Sequence, residues 1–179
     1  MSLLEEGKII CYPTDTIWGI GCDATRADAV ARVAELRGAP QPNGYVTIVS
    51  DIHMLRQYVT DIHPRLETLL AYHTRPLTIV YPTARGLAPN VKALDGSAAI
   101  RIVQDDFCKA LINSLGRPLL SAAARMMNED YPTHFSAINK QLLEGVDYVA
   151  RNRRDDTRHS IPSSIAYLDR HLELEFLRE

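Results

Sequence analysis

The sequence predicts an α/β protein built on a twisted mixed sheet with flanking helices, and three observations carry that reading. Short apolar runs of strand character alternate with segments of helical spacing along the chain. The last two strand candidates, 163–168 and 172–177, lie too close in sequence for a crossover helix, so at least that pair is antiparallel and the sheet is mixed. Neither an internal repeat nor a Pro/Gly/Ser-rich linker divides the 179 residues, so one domain over 1–179 is expected.

Each element has a local reason. Residues 8–12 form an apolar run that reads as a buried strand, and 28–36 place Ala29, Val30, Val33, Ala34 and Leu36 at helical spacing. Thr25 and Asp28 are three apart in the manner of a capping pair for that helix, and Gly38 is its stop. A strand follows at 45–49. Asp51 caps a helix to Tyr58, and Pro64 suits the first turn of another reaching Tyr72. Strands at 77–81 and 98–103 flank the turn-rich "PTARGLAPNVKALDGS". A helix over 105–115 ends at Gly116, and 118–122 is a short apolar strand. The remaining segments read as a loop at "MMNEDYPTH", a helix at 135–143, a strand at 146–149, the charged loop "RNRRDDTRHS" and the closing strands.

Composition narrows the function classes. Hydrophobic residues make up 46% and charged residues 23%, and no apolar run approaches the ~20 residues of a membrane helix, so a soluble protein is expected. At this length a chain buries roughly 70% of its unfolded surface, enough for a core without staples. Cys11, Cys22 and Cys108 are odd in number and lack C-x-x-C spacing, which fits reduced thiols in a cytoplasm; no signal peptide is visible. A net charge of −2 argues against whole-surface affinity for nucleic acid, leaving only a local basic patch.

The short motifs with a built-in mechanism are absent: there is no phosphate-binding G-x-x-x-x-G-K-[ST], no G-x-G-x-x-G, no H-E-x-x-H and no G-x-S-x-G. His53, His63 and His73 recur every ten residues, neither a helix-face nor a strand spacing, and read as surface residues; no metal site is expected from protein side chains. What remains is a distributed set at strand and helix ends: Thr14, Thr16, Arg37, Thr78, Arg101, Ser121, Arg125, Ser163 and Ser164. Taken singly each has a structural reading, a Thr for the pleat or an Arg snorkelling to water. Collected at one sheet edge, hydroxyls and planar guanidiniums suit an anion such as a triphosphate or a carboxylate.

The order of segments "YPTDTIWGIGCDA", "LTIV", "DGSAAIRI", "RPLLSAAARMMNEDYPTHFSAI" and "IPSSIAYL" resembles the YrdC-like family of threonylcarbamoyl-AMP synthases, from Gly7 to about Asp169. The resemblance implies a twisted α/β fold with a concave basic cavity. It also implies a nucleotidyltransferase for tRNA modification in translation: L-threonine is carboxylated with bicarbonate and attacks the α-phosphate of ATP, Mg2+ shields the phosphates and pyrophosphate leaves. Carried over, Thr14, Thr16, Thr78 and Arg101 bind the amino-acid substrate, and Arg37, Ser163 and Ser164 the nucleotide.

The sequence departs from the family pattern where the charge belongs. The family's Lys-x-Arg and its later Lys are met by Arg37, Ala39 and Asn43, and its Thr-Ser-Ala-Asn by Ala122, Ala123, Ala124 and Arg125. Two readings follow. One is a divergent synthase in which Arg37 and Arg125 are the catalytic cations. The other is a catalytically impaired paralogue that binds a nucleotide, tRNA or double-stranded RNA, with Arg151, Arg153, Arg154, Arg158 and His159 as phosphate contacts, offset in part by Asp155 and Asp156. Another carbamoyl or acyl transfer in the same pocket is a third.

Overall fold

The computed structural model describes residues 2–38, 40–158 and 160–179. Ala39 and His159, both singled out above, lie outside the described residues.

In chain order the elements are α1 (Ser2–Glu5), β1 (Ile10–Tyr12), β2 (Gly19–Gly21), α2 (Ala27–Arg37), β3 (Thr47–Val49), α3 (Ile52–Tyr58), α4 (Pro64–Tyr72) and β4 (Leu77–Tyr81). A 3-10 turn at Pro89–Val91 precedes β5 (Ala98–Ile102), α5 (Asp106–Leu115), β6 (Leu119–Leu120) and β7 (Ala122–Ala123). A second 3-10 turn at Phe135–Ala137 leads to α6 (Lys140–Gly145), β8 (Tyr148–Val149), β9 (Ser164–Leu168) and β10 (Leu174–Arg178).

The mixed α/β architecture is as expected, but the strands make two mixed sheets. The smaller runs β7-β2-β1-β8 and the larger β10-β9-β4-β5-β3-β6. The expected strand at 118–122 is the seam between them. Along one edge Leu120 N–H donates to the Cys22 carbonyl and Ala124 N–H to the Trp18 carbonyl, while Ser121 N–H turns the other way to the Val46 carbonyl at 2.8 Å. Leu119 and Leu120 therefore pair with β3, and Ala122 and Ala123 with β2. A segment this short serves both sheets because alternate backbone groups point to opposite edges.

Strand β2 is not foreseen by the sequence, since Gly-Ile-Gly carries little strand propensity. The glycines are there for close approach: a Cβ on Gly21 would stand 2.0 Å from the Leu120 carbonyl oxygen, and one on Gly19 3.2 Å from that of Ala122.

Local chemistry sets most helix ends as read. Asp51 accepts the Met54 N–H at 2.8 Å and Asp105 the Cys108 N–H at 2.8 Å, while Gly38 and Gly116 close α2 and α5 at φ 86° and 69°. Two expectations are corrected. Thr25 does not cap α2: its N–H and hydroxyl both turn back to the buried Asp23 carboxylate at 2.9 and 2.6 Å, and Asp28 pairs with Arg26 instead. The helix expected over 135–143 is broken, because Asn139, at φ −57° and ψ 128°, leaves the helical region and caps α6 through Gln141 N–H at 2.8 Å.

In the larger sheet the pleat divides two faces. Ile79, Ile100 and Ala166 are register partners on the core side, where α3 and α5 pack. Val80, Ala99 and Tyr167 are partners on the other face, which is hollow. No helix among the described residues is long and apolar enough to cross a membrane.

Candidate functional site

The hollow face and the smaller sheet enclose a cavity of about 830 Å3. Its floor includes Val80, Ala99, Ile165 and Tyr167, and its opposite wall Trp18, Gly19, Ala122 and Ala123. Of the residues singled out from the sequence, Thr16, Arg37, Arg101, Ser121, Arg125 and Ser163 line it, whereas Thr14, Thr78 and Ser164 do not.

One side is a closed hydrogen-bond circuit. Thr14 is buried in the "YPTDT" turn, where its hydroxyl donates to the Ile17 carbonyl at 2.8 Å and accepts the Thr16 N–H at 3.0 Å. With that proton committed, the 2.9 Å contact between the two hydroxyls must be Thr16 donating to Thr14. The Thr16 oxygen therefore meets the cavity as an acceptor only. Asp15, between them, forms an ion pair with Arg101 and accepts the Gln104 N–H at 3.1 Å. Arg101 is only 3% exposed, so the paired carboxylate is what makes its burial tolerable. Thr78, with no exposure, holds the Ser163 hydroxyl at 2.8 Å from behind, so Ser163 is the wall residue of that pair. Thr14 and Thr78 act through their neighbours.

The other side is cationic and unpaired. Arg37 is 5% exposed, its Nε donating to the Arg125 carbonyl at 3.3 Å and its Nη1 to Gln41 at 3.4 Å. Burial lowers its pKa, and the neighbouring Arg125 charge acts in the same direction. Arg125 turns its Nη1 to the Met127 carbonyl at 3.0 Å and to that of Glu129, with its guanidinium 4.5 Å from the Tyr131 ring centroid. Arg178 donates from Nε and Nη2 to the Ser163 carbonyl at 3.0 and 2.7 Å. Arg37, Arg125 and Arg178 all line the cavity, and among the described residues none has a carboxylate within ion-pair reach. Among the described residues the one carboxylate on the wall is Asp95, whose Oδ1 accepts the Ser97 N–H at 2.9 Å and hydroxyl at 2.6 Å.

Arg178 and Tyr131 are functional candidates that the sequence reading missed. Strand β10 carries a register shift between Phe176 and Arg178, and both Leu177 and Arg178 line the cavity there. The usable signal was an arginine at a strand end, the same one that picked out Arg101. Tyr45 is a third: it is buried on the cavity wall, its hydroxyl unpartnered and its pKa raised by burial.

The charged loop after β8 lies elsewhere. Arg153 donates to the Thr14 carbonyl at 3.2 Å and pairs with Asp105 at 2.8 Å, bracing the "YPTDT" turn from outside. Arg154 donates to the Ala150 and Val149 carbonyls at 2.8 and 2.7 Å and stacks 5.0 Å from the Phe135 ring centroid. Arg158 pairs with Asp156 at 2.5 Å, and Arg151 is exposed. Most of the loop's positive charge is thus spent within the protein. Cysteine chemistry is not part of the cavity either: the three thiols are buried off its wall, and burial pushes those of Cys11 and Cys22 up to about 12.

Residues 2–179 match the family model Sua5_yciO_yrdC, described as "Telomere recombination". The chain belongs to the Sua5/YciO/YrdC family. A relative named threonylcarbamoyl-AMP synthase from Halorhodospira halophila is 32% identical over 122 residues, 68% of this chain and 64% of that protein. Among solved structures, P. abyssi Sua5 complexed with L-threonine superposes with a TM-score of 0.82 at 21% identity, covering 93% of this chain and 49% of that one. E. coli YciO superposes with a TM-score of 0.78 at 18% identity, covering 99% of this chain and 87% of that one. The chain thus spans about half of that Sua5 chain and under two thirds of the Halorhodospira protein. At these identities the structures establish the Sua5/YciO/YrdC fold.

Proposed function

We propose that this cavity takes L-threonine and ATP and that the protein is a divergent threonylcarbamoyl-AMP synthase. The observation that carries the reading is the trio Arg37, Arg125 and Arg178, unpaired on one cavity of a protein whose net charge is −2. Buried or cleft-lining cations are ordinarily paired, so three without carboxylates define a site whose counter-ion is the ligand. A triphosphate has the charge and the oxygen geometry for guanidinium forks.

The amino-acid end fits the closed circuit. Thr16, an acceptor toward the cavity, suits a donor such as the substrate's ammonium or hydroxyl group, and Arg101 suits its carboxylate. The names of the relatives support the assignment of threonine and of a nucleotidyl transfer. In that reaction the carbamate formed from L-threonine and bicarbonate attacks the α-phosphorus of ATP, and pyrophosphate departs with the charge that the three arginines offset. No group of three or more metal-ligating side chains occurs among the described residues. Were Mg2+ to accompany ATP it would supply charge shielding of the phosphates, and Asp95, whose Oδ2 is not engaged by Ser97, is the wall carboxylate that could hold it through water. The product is an activated group for tRNA modification, and the three buried thiols fit a reducing cytoplasm. The loop at 151–158 spends its charge internally, so the cavity rather than RNA contact by that loop carries this proposal.

The test is pyrophosphate release from ATP, Mg2+ and bicarbonate with and without L-threonine. Threonine-dependent release is expected; release no greater than a blank removes the reading.

A further inference from the structure

The loop between β7 and α6 carries a side chain that touches two of the three unpaired arginines at once. The guanidinium of Arg125 lies 4.5 Å from the centroid of the Tyr131 ring and that of Arg178 lies 6.0 Å from it. The Tyr131 hydroxyl is reached by Arg178 Nη1 at 3.2 Å. All three residues line the cavity, and Tyr131 is 39% exposed, which puts its ring at the mouth. Arg125 follows β7 and Arg178 ends the far edge strand of the larger sheet, and among the described residues Tyr131 is the contact their guanidiniums share.

Two like charges held about one aromatic ring repel each other, and the ring's π-system and hydroxyl supply the attraction that offsets this. The remaining contacts of each guanidinium are to backbone carbonyls, Met127 and Glu129 for Arg125 and Ser163 for Arg178, and among the described residues neither has a carboxylate within ion-pair reach. The arrangement is a pre-formed cationic fork whose spacing is fixed by one side chain.

The geometry points to Tyr131 as a positioning residue that sets Arg125 and Arg178 as a two-pronged clamp for a diphosphate or longer polyphosphate anion. The inference rests on the reading of the cavity as an anion site and adds to it the residue that fixes the spacing. A single phosphate can engage one prong. Two linked phosphates can engage both, so the clamp selects for the linked anion.

Calorimetric titration of inorganic pyrophosphate and of orthophosphate into the wild type, Tyr131→Phe and Tyr131→Leu tests this, with unliganded thermal midpoints measured alongside. The Phe variant keeps the stacked ring and loses the hydroxyl bond; the Leu variant loses both. Pyrophosphate affinity should fall about threefold to tenfold in Tyr131→Phe and about tenfold or more in Tyr131→Leu, with orthophosphate weak in all three proteins and the unliganded midpoints unchanged. Equal pyrophosphate affinity in the three proteins overturns the clamp while leaving the cavity reading intact, and so does a loss matched by a drop in unliganded midpoint. A wild type that binds neither anion removes both.

Discussion

The two ends of the cavity are built on opposite principles. At the Thr16 end the side chains are tied to one another: Thr14 is bound to Ile17 and Thr16, Asp15 to Arg101 and Gln104, and Thr78 to Ser163. At the arginine end Arg37, Arg125 and Arg178 are held by carbonyls and aromatic rings and share no carboxylate among the described residues. The first end is part of what folds the protein. The second is held in place by the fold and, in the proposed function, is completed by a ligand. Substitutions should therefore separate: stability should respond at one end and ligand affinity at the other.

The largest effect is expected from Arg101→Ala. It leaves Asp15 with its side chain 13% exposed and without its cation, and breaking a buried pair in this way costs about 3–5 kcal/mol. Denaturant unfolding without ligand measures it, and a loss below about 1 kcal/mol would show that the circuit is not structural. Next comes Arg37→Met at the opposite end. Removing a charge-assisted contact to reacting phosphate lowers the rate by roughly 10²–10³, while unfolding stability is held or raised, because a buried unpaired charge and its repulsion with Arg125 are gone. A stability loss as large as that of Arg101→Ala would break the distinction between the two ends.

Thr16→Val is smaller. It removes the acceptor on the cavity wall but leaves the Thr14 bond to Ile17, so threonine affinity should fall by about 1 kcal/mol with little change in unfolding. The smallest effect concerns the loop that carries Tyr131. Asn139 and the Met126 N–H hold the Glu129 carboxyl below the usual carboxylate range. A folded pKa below the unfolded one means that the contribution is present above the unfolded value and is lost as pH falls through the folded one. The thermal midpoint of the wild type should thus exceed that of Glu129→Gln near pH 6, and the gap should close as the pH drops below about 4. A gap that widens on acidification would contradict the assignment.

The same division governs what was legible in the sequence. Asp51, Asp105, Gly38 and Gly116 act within one turn of their own helices, so their roles follow from local spacing. The "YPTDT" turn is local too, although Thr14 serves Thr16 rather than the cavity. Strand β2 was invisible because its glycines answer to Leu120 and Ala122, about a hundred residues away in the chain. Arg178 and Tyr131 were missed for a related reason. A strand irregularity and an aperiodic loop bring them to the cavity; Arg178 carried the strand-end signal that picked out Arg101, whereas the loop gives Tyr131 no periodic pattern. The arginine-rich loop shows the converse: a charge run legible in the sequence proves to be a brace, with Arg153 on Asp105 and Arg154 on Phe135.

The central claim is that the unpaired arginines await a polyphosphate, and calorimetric titration of ATP with Mg2+ into the wild type and Arg37→Met at low and high salt tests it most directly. The account predicts saturable one-site binding that weakens with salt and falls at least about tenfold in Arg37→Met. An absence of binding to the wild type, or equal affinity in the two proteins, would contradict it.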